Sequence, residues 1–161
     1  MADPDDIRNW LRLDGRITTS GRLQQGDPER LAALGVRHVV NLALDEHPEA
    51  LPDAAQQMAA AGLRYTPIPI PFARPTEDNY AAFRAAIEAD DEPVHVHCIM
   101  NWRVSAFFYR YNRDVVGMAE PEARALMERI WKPEEMAKEM DREDARAWAA
   151  LVAARTKGES E

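Results

Sequence analysis

Three short apolar runs stand out in the first hundred positions, and helical patterns separate them. Residues 36–42, 63–70 and 94–98 are rich in β-branched side chains, as buried strands are. Between them, the alanine-rich residues 53–61 and the segment that begins at Thr76 have the spacing of helices. Strands that alternate with helices of this length predict right-handed βαβ crossovers and a largely parallel central sheet flanked by helices. We therefore predict a single α/β domain.

Residues with matching conformational preferences mark the ends of these helices. Asp27 is predicted to cap a short helix with Pro28 in its first turn, and Gly35 to end it in the left-handed conformation. Gly62 is predicted to stop the alanine-rich helix, and Thr76 to cap the next one. The second apolar run contains two prolines, which places its end at an edge of the sheet or in a loop.

The C-terminal third of the chain has a helical pattern throughout. The stretch "RVSAFFYRYNR", which follows the third apolar run, predicts a buried helix. Amphipathic helices follow from about residue 120. Residues 133–154 are predicted to form one of them, with Pro133 in its first turn.

The length of the chain, 161 residues, gives room for one compact domain with its own core. We place this domain at residues 14–154, after an N-terminal segment of residues 1–13. Residues 155–161 are expected to form a disordered tail. The amphipathic C-terminal helices also leave room for self-association, so a homo-oligomer stays open.

The charge and the cysteine content exclude several classes of partner. Lys and Arg total 20 against 28 Asp and Glu, a formal charge of −8, and a field of that sign repels nucleic acid and acidic membranes. An anionic substrate must therefore be captured by local groups. The single cysteine excludes an intramolecular disulfide, and neither a signal peptide nor a membrane-spanning run is recognisable. These features predict a cytoplasmic protein.

The single cysteine, Cys98, lies at the end of the third apolar run, in "PVHVHCIMNWRVSAF". Ligands of parallel sheets bind beyond the carboxyl ends of the strands, where the following helix presents free N–H groups. A thiol at that place is biased toward the nucleophilic thiolate. Arg103, five positions later, offers a planar fork that matches two oxygens of a phosphate. This pattern is suited to covalent transfer of an anionic group.

The stretch "VHVHCIMNWRVSAF", with His97 before Cys98, resembles the His-Cys motif of the cysteine-based phosphatases, the protein tyrosine and dual-specificity phosphatase superfamily. The stretches "RITTSGRLQQGDPERLAALGVRHVVNL" and "GLRYTPIPI" resemble the front half of its small bacterial members, which are related to the phosphatase-like domain found with β-lactamase-like hydrolases. The resemblance covers about residues 14–112. It implies a phosphate-binding loop between a strand and a helix.

The resemblance also implies roles for individual residues. Cys98 would attack phosphorus to form a phosphocysteine, Arg103 would hold the phosphoryl oxygens, and Ser105 would assist departure of the thiolate. His97 would orient the loop from behind. The phosphate-binding loop would consist of Ile99, Met100, Asn101, Trp102 and Arg103. The expected substrate is phosphotyrosine or a small phosphomonoester, and neither a metal nor a cofactor is expected.

The spacing in this loop departs from the family pattern. The family has five residues between cysteine and arginine, whereas this chain has four. Without a gap, Asn101 would lie where the family usually has glycine, Ser105 would lie at the hydroxyl position, and Val104 would replace the arginine. With a one-residue deletion, Arg103 keeps its role, and we favour this interpretation because an anion site needs a cation. Asn101 also supports this interpretation, since Asn is the residue other than glycine that is best suited to a left-handed turn in a tighter loop.

The acid that protonates the leaving group is less well defined. The family usually supplies it from a loop that corresponds here to "PIPFARPTEDN", and no aspartate lies in its early part. Asp78 is our candidate, with Glu77 and Glu134 as alternatives. Each of these three residues is also explained as an acidic residue in the first turn of a helix.

Three other hypotheses remain for this loop. The absence of a clear acid, the missing glycine and the short spacing are also expected of a degenerate phosphatase that binds phosphate or a phosphoprotein without turnover. Rhodanese-like sulfurtransferases have a cysteine loop of similar size, although His97 and the "TSGR" stretch resemble the phosphatases instead. Cys98 is also compatible with an inert buried thiol.

Overall fold

The computed structural model describes residues 2–155 and contains a five-stranded sheet in the order β1-β2-β5-β3-β4. Strand β1 pairs antiparallel with β2, and the other neighbours are parallel. This confirms the predicted α/β class and its largely parallel sheet. The strands are β1 (Leu11–Arg12), β2 (Ile17–Ser20), β3 (His38–Asn41), β4 (Arg64–Pro67) and β5 (Val94–His97).

Seven α-helices within the described residues cover both faces of the sheet. Helices α1 and α2 contribute to one apolar cluster, whereas α3 to α7 contribute to the larger cluster on the opposite face. None of these helices is long and apolar enough to cross a membrane. The helices are α1 (Asp27–Ala33), α2 (Ala54–Ala60), α3 (Glu77–Glu88), α4 (Trp102–Tyr111), α5 (Glu120–Glu128), α6 (Pro133–Glu139) and α7 (Glu143–Ala153), and a π-helical segment, Asn112–Val116, follows α4.

Most of the predicted boundaries agree with the structure. The three apolar runs contain β3, β4 and β5, and β4 is an edge strand as its prolines predicted. Gly35 and Gly62 have the left-handed φ values of +100° and +79°. The Thr76 side chain accepts from the Asn79 amide at 3.0 Å, and the Asn79 side chain accepts from the Thr76 amide at 2.9 Å. The two predicted glycine stops and the Thr76 cap therefore act as expected.

Two helix predictions were wrong. Asp27 is the first residue of α1 and does not cap it; its carboxylate accepts from the Gln24 amide at 2.7 Å and so stabilises the preceding turn. The single helix predicted for residues 133–154 is two helices, α6 and α7, with a left-handed residue, Asp141, between them. A continuous helix of this length would extend about 33 Å. The break allows both halves to pack against the same core.

The described structure extends beyond the predicted domain bounds at both ends. Strand β1 (Leu11–Arg12) precedes residue 14, and both Ile7 and Leu11 are buried. At the other end, Arg155 donates to the buried Asp114 carboxylate at 3.0 Å. The remainder of the predicted tail, residues 156–161, lies outside the described residues.

The four parallel strands end in register. Their carboxyl ends form one edge of the sheet, which is distinct from the edge strands β1 and β4. Their last residues, Ser20, His97, Asn41 and Pro67, pair in one row across the sheet. The loops that follow these strands therefore meet at the same edge, which is where ligands bind in parallel sheets. Because β5 lies between β2 and β3, the loop that begins at Cys98 is at the centre of this edge.

Candidate active site

The loop from Cys98 to Asn101 joins β5 to α4 and is anchored at both ends. Cys98 is fully buried, and its amide donates to the Ser20 carbonyl at 3.4 Å. Asn101 has a φ of 66°, which confirms its predicted left-handed conformation. Its side-chain amide donates to the Asn9 carbonyl at 2.8 Å and to the Thr19 hydroxyl at 3.1 Å. The side chain therefore fixes the turn that a glycine would leave free.

Groups outside the loop bind two of its carbonyl oxygens. The Ile99 carbonyl accepts from the Arg22 amide at 2.9 Å and from the Arg8 guanidinium at 3.4 Å. The Met100 carbonyl accepts from the Asn9 side chain at 2.9 Å. Because a trans peptide is planar, the N–H group that follows each carbonyl points the opposite way. These amides are therefore turned away from the segments that hold the loop.

A close backbone approach makes this arrangement possible. A Cβ atom at Gly21 would lie 2.5 Å from the Ile99 carbonyl oxygen, so only glycine fits there without movement. Gly21 belongs to the "TSGR" stretch, and the amide of Arg22, the last residue of that stretch, donates to the same carbonyl.

The backbone amides of residues 99–102 donate to no group within residues 2–155. The loop thus has a row of donors that are available to an anion.

Arg103 supplies the positive charge beside this loop. It is buried in the first turn of α4, its Nε donates to the Ile70 carbonyl at 3.1 Å, and its guanidinium lies 5.3 Å from the centre of the Phe72 ring. No carboxylate of the described part of the chain pairs with it. A buried charge without a counter-ion is costly. The site is therefore electrostatically suited to an anion, and Nε hydrogen bonding leaves the two terminal nitrogens to bind it.

A cavity of about 220 Å³ opens beside Arg103. Four of its lining residues, Ile99, Met100, Trp102 and Arg103, were predicted to form the phosphate-binding loop. Cys98 itself is not among the lining residues. The other two, His47 and Phe72, were missed by the sequence analysis, although the loops that carry them follow β3 and β4 at the same edge of the sheet. The carboxyl ends of parallel strands were the signal that could have found them.

Aromatic rings form one wall of this cavity. Trp102 stacks on Trp131 with ring centres 5.0 Å apart and planes within 6°. Phe72 lies against both of these rings and also stacks on Trp148, whose indole N–H donates to the Phe72 carbonyl at 2.7 Å. Trp102 therefore lines the cavity and packs on the core at the same time, which fixes its position.

Ser105 lies in the first turn of α4 but does not line the cavity. Its hydroxyl donates to the Asn101 side-chain carbonyl at 3.1 Å. The bond connects the start of the helix to the turn that precedes it. Its assistance to thiolate departure stays a prediction that rests on the family resemblance.

The structure brings none of the three acid candidates to the cavity lining. Asp78 is exposed in the first turn of α3. Glu77 accepts two hydrogen bonds, at 2.7 and 2.8 Å, from the buried Arg110. Glu134 is exposed and lies 4.0 Å from Arg124 beside a different cavity. Glu77 therefore has a structural role, and the other two occupy the exposed helix positions that their sequence context also explained.

His95 belongs to a buried hydrogen-bond chain behind the loop. Ser20 donates its only hydroxyl proton to the Gly21 carbonyl at 2.8 Å, so it accepts from Nε2 of His95, also at 2.8 Å. Nδ1 of His95 then accepts from the Thr18 hydroxyl at 2.8 Å. Burial holds the pKa of His95 well below its ordinary value. The ring is neutral and joins β5 to β2.

His97 is a second buried, neutral histidine on the same face of β5. Its Nδ1 lies 3.3 Å from the Cys98 carbonyl, which can only accept, so Nδ1 carries the proton. Burial lowers the pKa of His97 to about 4, and the hydrogen bond to Cys98 only partly opposes this shift. Within the described residues, no three His, Cys, Asp or Glu side chains converge on a site that could hold a metal.

A family model and solved structures are similar to this chain. The model of the phosphatase-like domain of β-lactamase hydrolase-like proteins matches residues 11–109. A candidate phosphatase (DUF442) from Shewanella putrefaciens CN-32 is 28% identical, with a TM-score of 0.76, over 91% of this chain and 88% of that one. Among curated protein sequences, none is significantly similar to this chain.

Two further crystal structures share the fold at lower identity. A candidate phosphatase from Neisseria meningitidis z2491 is 24% identical, with a TM-score of 0.65, over 81% of this chain and 95% of that one. P. aeruginosa TpbA, as a cysteine-to-serine variant in complex with phosphotyrosine, is 22% identical, with a TM-score of 0.67, over 98% and 96%. The similarity extends through the C-terminal helices of this chain.

The neutral state of His97 predicts a specific loss of stability in acid. The unfolded state binds a proton near pH 6.5, whereas the folded state does so only near pH 4, so stability is complete above pH 6.5 and falls between these values. The expected loss from this residue is about 3 kcal/mol. Urea unfolding at pH 7.5 and pH 4.5 should show a larger decrease for the wild type than for His97→Gln. Equal decreases would mean that His97 is not held neutral.

The close approach at Gly21 predicts a matched pair of glycine variants. Gly21→Ala should push the Ile99 carbonyl out of place and lower the free energy of unfolding by about 1–3 kcal/mol. Gly15→Ala is the control, because a Cβ there meets no atom within 4 Å. Urea unfolding gives the stability, and titration with inorganic phosphate gives the effect on the loop. If both variants behave alike, the contact at Gly21 does not hold the loop.

Proposed function

The chain belongs to the family of phosphatase-like domains of β-lactamase hydrolase-like proteins, within the cysteine-based tyrosine-phosphatase-like superfamily, and we propose that it hydrolyses a phosphomonoester through a phosphocysteine on Cys98. One observation carries this proposal. Arg103, five positions after Cys98, is a buried guanidinium that lines a cavity and has no carboxylate partner in residues 2–155. A phosphoryl group would supply the missing negative charge.

The proposed reaction has two displacements at phosphorus. The Cys98 thiolate attacks phosphorus, an S–P bond forms, and the ester P–O bond breaks with its electron pair on the leaving oxygen. Water then attacks the phosphocysteine, the S–P bond breaks, and phosphate leaves as the thiolate is restored. Because Cys98 is buried at the base of the loop, the reacting phosphoryl group must seat within the loop itself.

The loop and Arg103 would stabilise the charge that develops on the phosphoryl oxygens. The amides of residues 99–102 and the start of α4 provide fixed donors, and the terminal nitrogens of Arg103 provide a fork for two oxygens. Fixed donors in a site that excludes water need little reorganisation during the reaction. Ser105, through its bond to Asn101, would assist departure of the thiolate as the family resemblance implies.

The aromatic wall favours phosphotyrosine over an aliphatic phosphomonoester as the substrate. Phe72 and Trp102 both line the cavity and are fixed by their contacts with other rings. An aryl group bound there would gain ring contacts that an alkyl chain cannot make. TpbA, which shares the fold, has been crystallised with phosphotyrosine.

A second candidate is a phosphate-binding protein that does not turn its ligand over. The observation that favours it is the cavity lining, which contains no carboxylate to protonate a leaving group. The family match and the contact of the "TSGR" stretch with the Cys98 loop favour phosphatase chemistry over sulfur transfer. A Cys98→Ser variant separates turnover from binding.

The first variant tests the nucleophile. Cys98→Ser should lower hydrolysis of 4-nitrophenyl phosphate by at least about 10³-fold, because a hydroxyl is a far weaker nucleophile than a thiolate at neutral pH. Binding of inorganic phosphate and the circular dichroism spectrum should stay close to those of the wild type. Substantial residual activity would refute the phosphocysteine, and an inactive wild type that still binds phosphate would favour the non-catalytic candidate.

The second variant tests the guanidinium fork. Arg103→Lys should lower kcat/KM by about 10²–10³-fold, because an ammonium group cannot bind the Ile70 carbonyl and two phosphoryl oxygens in a planar arrangement. Arg64→Lys is the matched control, because Arg64 is on the edge strand and pairs with the exposed Asp90. Steady-state kinetics of both variants would measure the difference. Equal activities would remove Arg103 from the reaction.

A further inference from the structure

We propose that His47 donates a hydrogen bond to the leaving oxygen and so takes the place of the carboxylic acid that the cavity lacks. This inference rests on the proposed phosphatase function. His47 lies in the loop after β3 and lines the same cavity as Arg103. Because β3 is the direct neighbour of β5, the two loops lie side by side at the edge of the sheet.

The hydrogen bonds of His47 fix which nitrogen carries its proton. Nδ1 accepts from the Glu49 amide at 3.0 Å, so it carries a lone pair. The ring in this arrangement is neutral, and its proton is on Nε2. Nε2 makes no hydrogen bond with any group in residues 2–155. It is therefore a donor that is available to a ligand in the cavity.

The backbone around His47 gives the ring a fixed position. The His47 amide donates to the Leu44 carbonyl at 3.2 Å, and the His47 carbonyl accepts from the Ala50 amide at 2.9 Å. These two turns hold the residue on both sides. A donor held in this way is pre-organised for a charge that appears during the reaction.

An ion pair ties the His47 segment to the cysteine loop. The Glu49 carboxylate binds the Arg8 guanidinium at 2.9 and 3.1 Å and lies 3.4 Å from Arg22. Arg8 also donates to the Ile99 carbonyl. The residue whose amide orients His47 is thus linked, through one arginine, to the loop that would hold the phosphoryl group.

His47 is better suited to this role than the other lining residues. The side chains of Phe72, Ile99 and Met100 carry no N–H or O–H group, and Arg103 is needed for the phosphoryl oxygens. Trp102 has an indole N–H on a ring held in the stack on Trp131. His47 is the lining side chain whose donor nitrogen is set by a hydrogen bond on the other nitrogen of its ring.

In the proposed step, the P–O bond breaks as the Cys98 sulfur bonds to phosphorus, and the electron pair goes to the leaving oxygen. The Nε2–H group of His47 stabilises the developing charge and keeps its proton. Solvent water then protonates the released aryloxide. Stabilisation by a hydrogen bond without proton transfer is suited to aryl esters, because an alkoxide is too basic to leave without being protonated.

Aryl phosphates of different leaving-group strength test the proposal. His47→Phe keeps a ring in the cavity but removes the donor, whereas His47→Gln keeps an N–H group. We expect His47→Phe to lower kcat/KM by about 10²-fold for phenyl phosphate and by less than about tenfold for 4-nitrophenyl phosphate. His47→Gln should restore most of the phenyl phosphate activity. Glu46→Gln, an exposed neighbour in the same loop, is the control and should leave both rates unchanged.

Two outcomes would refute the proposed role of His47 and leave the phosphatase proposal intact. The first is an equal loss on both esters in His47→Phe, which a merely structural residue would give. The second is a Gln variant no better than the Phe variant. If the wild type hydrolyses neither ester, or Cys98→Ser is as active as the wild type, the phosphatase proposal fails and the His47 proposal fails with it.

A measurement without turnover checks the geometry directly. In Cys98→Ser protein with ¹⁵N-labelled histidines, the His47 ring should be the Nε2–H tautomer, and its Nε2 resonance should shift when inorganic phosphate is added. The buried His95 provides an internal reference that should not shift. The Nδ1–H tautomer, or an unchanged His47 resonance at saturating phosphate, would contradict the proposed donor.

Discussion

The outward direction of two carbonyl groups in the Cys98 loop is the constraint on which the site depends. The Ile99 and Met100 carbonyls are bound by groups next to β1 and β2, and the close approach is possible only because Gly21 has no side chain. If either peptide group were flipped, its carbonyl oxygen would face the cavity and repel an anion. The same hydrogen bonds therefore fix the shape of the loop and the sign of its potential.

The buried arginine of the site differs from the other buried arginines in its hydrogen-bond partner. Arg110 is bound by Glu77, and Arg113 by the buried Asp114, so their charges are compensated within the fold. Arg103 is buried to a similar extent and has no such partner in the described part of the chain. The electrostatic field of the formal charge of −8 is screened by salt at distances beyond about 8 Å. A desolvated guanidinium at contact distance can therefore bind an anion despite that charge.

Several features that depend on neighbouring residues were predicted correctly from the sequence, whereas features that depend on contacts between distant residues were not. Asn101 and Thr76 were assigned correctly, because a left-handed turn and a helix cap depend on the residue and its immediate neighbours. Residues 133–154 were predicted as one helix because nothing local requires a break, whereas packing of both halves on one core does. Glu77 accepts two hydrogen bonds from Arg110, a partner 33 positions away that no local pattern indicates.

The sequence by itself determined the order of strand, cysteine loop and helix, and with it the short separation of Cys98 and Arg103 along the chain. It also determined that the fold is α/β, since alternation of strand and helix patterns is a local property. Only the tertiary structure decided that β3 pairs with β5, which brings His47 to the cavity, and that Arg103 is left without a carboxylate. Strand order and ion-pair partners are chosen by contacts between residues far apart in the chain, and no local preference of the sequence specifies them.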